Sequence, residues 1–223
     1  MKALLRKDFY LMLRPVSLLL LLVFSLGAMV SLSTQNQETT VSDLVMFGAM
    51  ITLLSSVFPL ACLGEDEHSR WEQFAATMPF NKRIYISEKY LLSVIHSLYF
   101  TLALTAGTSV WMLKYSCFDI QRLFLLMSVN LFTAALLYSI SLPVTFRFGS
   151  LKGTLMMIIL LVCFLFGVVL VISANARSVN LQAITGWIQN NRLLLSLCLL
   201  LVSAAMLLLS LLLSVRLFRK KQY

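Results

Sequence analysis

Apolar residues in this chain come in long runs, and the polar residues are confined to the gaps between them. The runs cover about Val16–Ser33, Asp43–Leu63, Tyr90–Leu113, Leu123–Val144, Thr154–Ala174 and Leu193–Val215. Each reaches the roughly 18 residues that a helix rising 1.5 Å per residue needs to cross ~30 Å of hydrocarbon. None shows the strict alternation of a barrel strand, and backbone facing lipid must satisfy its own hydrogen bonds. The pattern predicts an all-α integral membrane protein with six transmembrane helices, forming a single transmembrane domain over residues 1–223.

The gaps have their own patterns. Over residues 1–14, Leu5, Phe9, Met12 and Leu13 fall on one side of a helical wheel and Arg6, Lys7, Tyr10 and Arg14 on the other, with Asp8 on the apolar side. This is the pattern of an amphipathic elbow helix lying in the membrane interface, with Arg6, Lys7, Phe9 and Arg14 as anchors. A signal-peptide n-region is the competing reading, and the length of the basic segment and of the run after it argues against that. Pro15 turns the chain into the first span. Pro59 stands near the end of the second span and Pro143 at the exit of the fourth, with a short basic loop over residues 146–153. In the connection 175–192, Leu181, Ile184, Trp187 and Ile188 recur at helical spacing, and Trp187 is a candidate interfacial anchor. A short helix at the outer leaflet is expected there, against the plainer alternative of an irregular polar loop.

Composition sharpens this picture. The chain is 60% hydrophobic and 12% charged, against about 25% charged in a soluble domain. A net charge of +9 is not a nucleic-acid signal, because the basic residues sit at the ends of the apolar runs. Of the 18 Lys and Arg residues, only Lys114, Arg122, Arg177 and Arg192 fall on one side of the six-span arrangement. The positive-inside rule therefore predicts that both termini and the segment 64–89 face the cytoplasm, in a multi-pass cell-membrane protein.

Motifs for chemistry are missing. Gly149-Ser-Leu-Lys-Gly-Thr154 has the wrong spacing for a phosphate loop, and there is no HExxH. His68 and His96 are isolated, and Cys62, Cys117, Cys163 and Cys198 have no metal-binding spacing. The spans carry almost no ionisable groups away from their ends, which argues against proton or ion coupling. No catalytic, cofactor-binding or metal-binding residue is expected.

Information concentrates in Gly64–Leu91, which holds five of the nine acidic residues. Trp71, Phe74, Ala75 and Met78 follow i, i+3, i+4, i+7 and form one apolar stripe. Glu65, Asp66 and Glu67 are expected at the start of that helix, where carboxylates suit its dipole. Pro79 ends it, and Asn81 caps a helix running into the third span. The apolar face needs a partner, which is lipid, another part of the chain, or a soluble protein. Carboxylates are repelled by an anionic leaflet, which weighs against lipid.

Glu65-Asp66-Glu67, Trp71, Thr77-Met78-Pro79, Lys82-Arg83 and Lys89-Tyr90-Leu91 resemble the first cytoplasmic loop of ABC-2-type transporter permeases, in a branch similar to exporters of phenol-soluble modulins and antimicrobial peptides. The chain departs from that pattern at Met78, at Asn81-Lys82 and at Arg70. The resemblance implies that the loop is a coupling helix docked on a separate cytosolic ABC ATPase. Trp71 and Phe74 would then be apolar anchors and Glu65, Asp66 and Glu67 charge contacts, with Arg70 and Met78 in the same stretch and Pro79 fixing its angle. Lys82, Arg83 and Lys89 stay open between headgroup anchors and ATPase contacts. It further implies a bacterial cytoplasmic membrane, two ATPase subunits per complex holding ATP and Mg, and a second permease, identical or paralogous. The cargo would be hydrophobic or amphipathic, such as a membrane-active peptide, with roles in peptide export or antimicrobial resistance. The rival reading is a non-transporting scaffold or sensor subunit that binds a cytosolic regulator through residues 64–89.

Overall fold

The computed structural model describes residues 48, 52, 56–69, 82–114, 119–176 and 191–219. These form five helices: α1 (Val57–His68), α2 (Lys82–Lys114), α3 (Ile120–Phe148), α4 (Ser150–Ala176) and α5 (Arg192–Arg219). Among the described residues, Arg83–Val110, Ile120–Phe148 and Arg192–Leu217 are long and apolar enough to cross a membrane, and Ser150–Cys163 is a shorter apolar helix. The third to sixth runs thus appear as α2 to α5, each helix extending past the apolar run at both ends. The elbow helix, the first span and the outer loop with Trp187 lie outside the described residues.

Large apolar side chains face outward along α4 and α5, as at Leu155, Ile158, Leu201 and Leu208. In lipid such surfaces carry no penalty, so the bundle is held by close packing and by hydrogen bonds between helices. The most extensive pairing is α3 with α5. Ser196, Ser203 and Ser210 recur every seventh residue on α5 and are all buried, as is Ser214. Small side chains at that spacing let the backbones approach. At the other end of the pair, Asp119 caps α3 by accepting the Gln121 N–H at 2.9 Å. The Arg192 guanidinium at the start of α5 bonds the same carboxylate at 2.7 Å.

Pro143 is placed differently from expectation. It lies inside α3, which continues to Phe148, instead of at the helix exit. Proline has no N–H to give to the carbonyl four residues earlier, so the Ser139 C=O is left without its helical donor. The Ser210 hydroxyl of α5 fills that place, donating to the Ser139 carbonyl at 2.8 Å. Ser210 also lies 2.6 Å from the Tyr90 hydroxyl, and Ser214 lies 2.7 Å from it. Each hydroxyl has one hydrogen, and that of Ser210 is already committed. The chain therefore runs Ser214 to Tyr90 to Ser210 to the Ser139 carbonyl, and it joins α5, α2 and α3. Most other buried hydroxyls satisfy themselves within their own helix, as Thr101 does on the Ser97 carbonyl and Thr145 on the Ser141 carbonyl.

Two glycines make the corner between α3 and α4. Gly149 alone separates the helices and has φ 96°, in the region that side chains avoid. At Gly153 a Cβ would lie 1.9 Å from the Thr145 Oγ1 and 3.2 Å from its Cα. The expected basic loop is thus a one-residue break, with Arg147 and Lys152 both over the ring of Phe148, at 5.0 and 5.4 Å.

Two stability outcomes follow from these contacts. Ser210→Ala should lose about 1 kcal/mol in detergent but clearly less in a Pro143→Ala background, where residue 143 supplies the missing N–H. Equal losses in a double-mutant cycle would show that the hydroxyl does not compensate for the proline. Gly153→Ala should lose about 1–3 kcal/mol through overpacking, and Thr145→Ala should restore only part of it, because the Thr145 backbone remains in the way.

Candidate functional site

The last turn of α1 carries Glu65, Asp66 and Glu67, and this corrects the expected placement. Carboxylates were expected at a helix start; they stand at a helix end, where the dipole disfavours them. Ser69 closes the helix by donating its N–H and its hydroxyl to the Glu65 carbonyl at 2.9 and 2.8 Å. Partners from other helices must therefore offset the misplaced negative charge. The structure supplies them for two of the three.

Asp66 is 2% exposed and faces α2. Its Oδ2 lies 2.5 Å from the Lys89 ammonium and accepts the Tyr85 hydroxyl at 3.3 Å. Tyr85 and Lys89 are one helical turn apart on α2, so a single carboxylate between them touches both. The Lys89 ammonium lies 5.3 Å from the centre of the Tyr85 ring and 4.0 Å from Glu88, whose side chain is fully buried. A buried charge costs several kcal/mol of desolvation and persists only when paired and hydrogen-bonded. Both side chains are thus spent on the contact between α1 and α2, Lys89 at 2% exposure and Asp66 facing inward.

Glu67 reaches the opposite way. Its Oε2 accepts the backbone N–H of Ser150 at 2.6 Å. Ser150 is the first residue of α4, so the carboxylate satisfies one of the donors that every helix start leaves open. Its other oxygen lies where a Cβ on residue 149 would be only 2.8 Å away. Leu63, Tyr85, Thr145 and Phe146 pack between these contacts around a cavity of about 10 Å³, room for no more than one water. No substrate fits there.

Glu65 is exposed, as is Glu67 beside Ser150, and Arg83 in the first turn of α2 is exposed as well. Lys82 opens α2. Arg70, Trp71, Phe74, Met78 and Pro79 lie outside the described residues, as do Arg6, Lys7, Phe9, Arg14 and Trp187. The residues missed by sequence reading are Tyr85, Gly149 and Ser150. Tyr85 could have been found from its spacing to Lys89; Ser150 contributes only a backbone N–H, and no residue type signals that. Among the described residues no grouping of His, Cys, Asp and Glu could hold a metal ion.

Deeper in the bundle, Asn130 is fully buried and its side-chain amide lies 3.3 Å from the Thr52 hydroxyl, which donates to the Gly48 carbonyl at 2.7 Å. Gly48 lies against the same amide, where a Cβ would come within 3.1 Å of its Nδ2. This is a polar helix–helix contact of the kind that holds membrane bundles together.

Removing one partner of the buried pair should cost about 3–5 kcal/mol, read as a fall in thermal stability in detergent. Lys89→Met should be the more damaging change, since it removes the cation from both Asp66 and Glu88, while Asp66→Asn leaves Lys89 beside Glu88. The double change Asp66→Leu with Lys89→Met should lose less than Lys89→Met alone, because the carboxylate that Lys89→Met strands is removed as well. Losses that simply add in the double change would show that the two side chains do not stabilise each other.

Comparison with known proteins adds one finding. The family model described as an ABC-2 family transporter protein matches residues 3–219. No curated protein and no solved structure matches the chain. Proteins of this family are multi-pass membrane permeases without ATPase activity of their own, and membership implies partnership with an ABC ATPase. With its long apolar helices and a match over nearly its whole length, the chain belongs to the ABC-2 transporter family as a transmembrane component.

Proposed function

We propose that this permease exports a hydrophobic or amphipathic cargo and receives its drive through the segment 64–89, on the cytoplasmic face. The supporting observation is the wiring of that segment's base. The chain leaves α1 at His68 and re-enters at Lys82, and the two ends are joined by the buried Asp66–Lys89 pair. A loop clamped in this way delivers force to the helices at its base. The exposed residue Glu65 and the stretch holding Arg70, Trp71, Phe74, Met78 and Pro79 form the docking surface, with Lys82 and Arg83 beside it. Trp71 and Phe74 are the apolar anchors. The partner ATPase holds ATP and Mg, two ATPase subunits serve each complex, and a second permease completes it.

The cargo class rests on the lack of charge along the spans. In α3 to α5 every Lys, Arg, Asp and Glu lies near a helix end, and the described hydroxyls are mostly engaged with backbone carbonyls. Such spans suit an apolar or amphipathic molecule, a membrane-active peptide among them, better than a small ion.

Capture of the ATPase tests the docking role. The purified chain should retain its ATPase in a pull-down, Trp71→Ala should abolish retention, and Glu65→Lys should weaken it several-fold. Asp66→Asn should retain the ATPase wherever it folds, because that carboxylate faces inward. Retention unchanged by Trp71→Ala would refute the docking surface.

A further inference from the structure

Motion of a docked loop has to leave α1 by some route, and two polar contacts offer one. The Asp66–Lys89 pair leads to α2, the helix that the loop itself enters, so along that route the contact and the chain say the same thing. Glu67 leads elsewhere. Its carboxylate holds Ser150, a residue 83 positions away, next to Gly149, which alone separates α3 from α4. Nothing in the loop's covalent path connects it to that corner.

The corner is built to move as one piece. Gly149 gives its N–H to the Thr145 carbonyl at 2.9 Å and takes the Gly153 N–H on its own carbonyl at 3.2 Å. Gly153 packs directly on Thr145 across it. A displacement applied at Ser150 is therefore shared by the end of α3 and the start of α4. Deeper in the bundle α1 also shares an apolar cluster with these helices, Leu60 and Leu63 lying with Phe146 and Met157, and the Glu67 bond is the hydrogen bond from the loop base to the corner itself.

We infer that Glu67 is a positioning residue that carries movement of the coupling loop to the α3–α4 corner, so that the drive reaches four helices and not only the two flanking the loop. This rests on the coupling role proposed above for residues 64–89. The hydrogen bond joins a side chain to a backbone N–H, so it can be removed from either side. Glu67→Ala deletes the acceptor. Ser150→Pro deletes the donor, at the first helical position, where proline is best tolerated. Glu67→Gln keeps an oxygen acceptor in place.

The test uses the permease–ATPase complex in lipid nanodiscs, with the four native cysteines replaced by serine and spin labels on introduced cysteines. The pair His68→Cys with Leu213→Cys reports movement of the loop base against α5. The pair Leu151→Cys with Leu213→Cys reports movement of the corner. Both distances should shift between nucleotide-free and ATP–vanadate-trapped complex in the otherwise unmutated protein. In Glu67→Ala and in Ser150→Pro the first shift should persist and the second should fall by about half or more, while Glu67→Gln should retain both. A corner shift undiminished in Glu67→Ala or Ser150→Pro overturns the inference, as does a corner that stays still while the loop base moves in the unmutated complex. Failure to capture any ATPase refutes the docking role itself, and is seen in the pull-down before any distance is measured.

Discussion

A membrane bundle tolerates a polar group only where a partner stands ready for it, and the buried pair of Asp66 and Lys89 sets the arrangement of this one. Two charges taken from water lose solvation worth several kcal/mol each, regained only at close contact with additional hydrogen bonds. Lys89 finds that contact in Asp66, with Tyr85 bonding the same oxygen and Glu88 nearby. Meeting this requirement fixes the last turn of α1 against the first turns of α2. With α1 so placed, Glu67 reaches the start of α4. The same logic operates one layer deeper, where the carbonyl that Pro143 frees is taken up by Ser210 and, through it, by Tyr90 of α2. Pairing demands thus act with the apolar cluster of Leu60, Leu63, Ile86, Phe146 and Met157 in setting which helices touch at this end of the molecule.

Much of the architecture was legible because bilayer thickness acts on sequence directly. The apolar runs at Tyr90–Leu113, Leu123–Val144, Thr154–Ala174 and Leu193–Val215 fall within α2 to α5, since a helix must keep about that many residues in hydrocarbon. Helix ends were misjudged for a physical reason. Leaving hydrocarbon does not unwind a helix, so α2 begins eight residues before its apolar run, at Lys82, and α3 passes straight through Pro143. Proline was read as a terminator, yet a hydroxyl on a neighbouring helix removes the reason to stop.

The site was less legible than the fold. Glu65, Asp66 and Glu67 read as one acidic patch, but consecutive residues on a helix point about 100° apart and meet different surroundings. One faces outward, one faces Lys89 and one faces Ser150. Composition cannot separate these fates, because the partners lie 23 and 83 residues away. Lys89 illustrates the same difficulty, for a lysine at the mouth of an apolar run looks like a headgroup anchor until a carboxylate is found above it. Ser150 offers no signal at all, since its backbone N–H and not its side chain does the work.

The division among the three acids bears on how a permease without its own nucleotide site can be driven. A soluble motor can push only on what reaches it, and what reaches it must be stiffly tied to the spans. Were all three carboxylates turned outward, the α1 end would have a large docking surface and no grip on α2 or α4. Were all three turned inward, it would grip well and offer no charge to a partner. The observed split leaves Glu65 on the surface and spends the other two on contacts to separate helices, Asp66 buried and Glu67 at the surface, each short and each with a defined donor. Stiffness of that kind comes from geometry, because a buried ion pair and a capped helix start have few alternative arrangements of similar energy. Contact with both α2 and the α3–α4 corner also means that a small rotation of α1 displaces the two by different amounts, which changes the packing between them. Reshaping the space between spans, and not merely tilting them together, is what passage of a cargo requires.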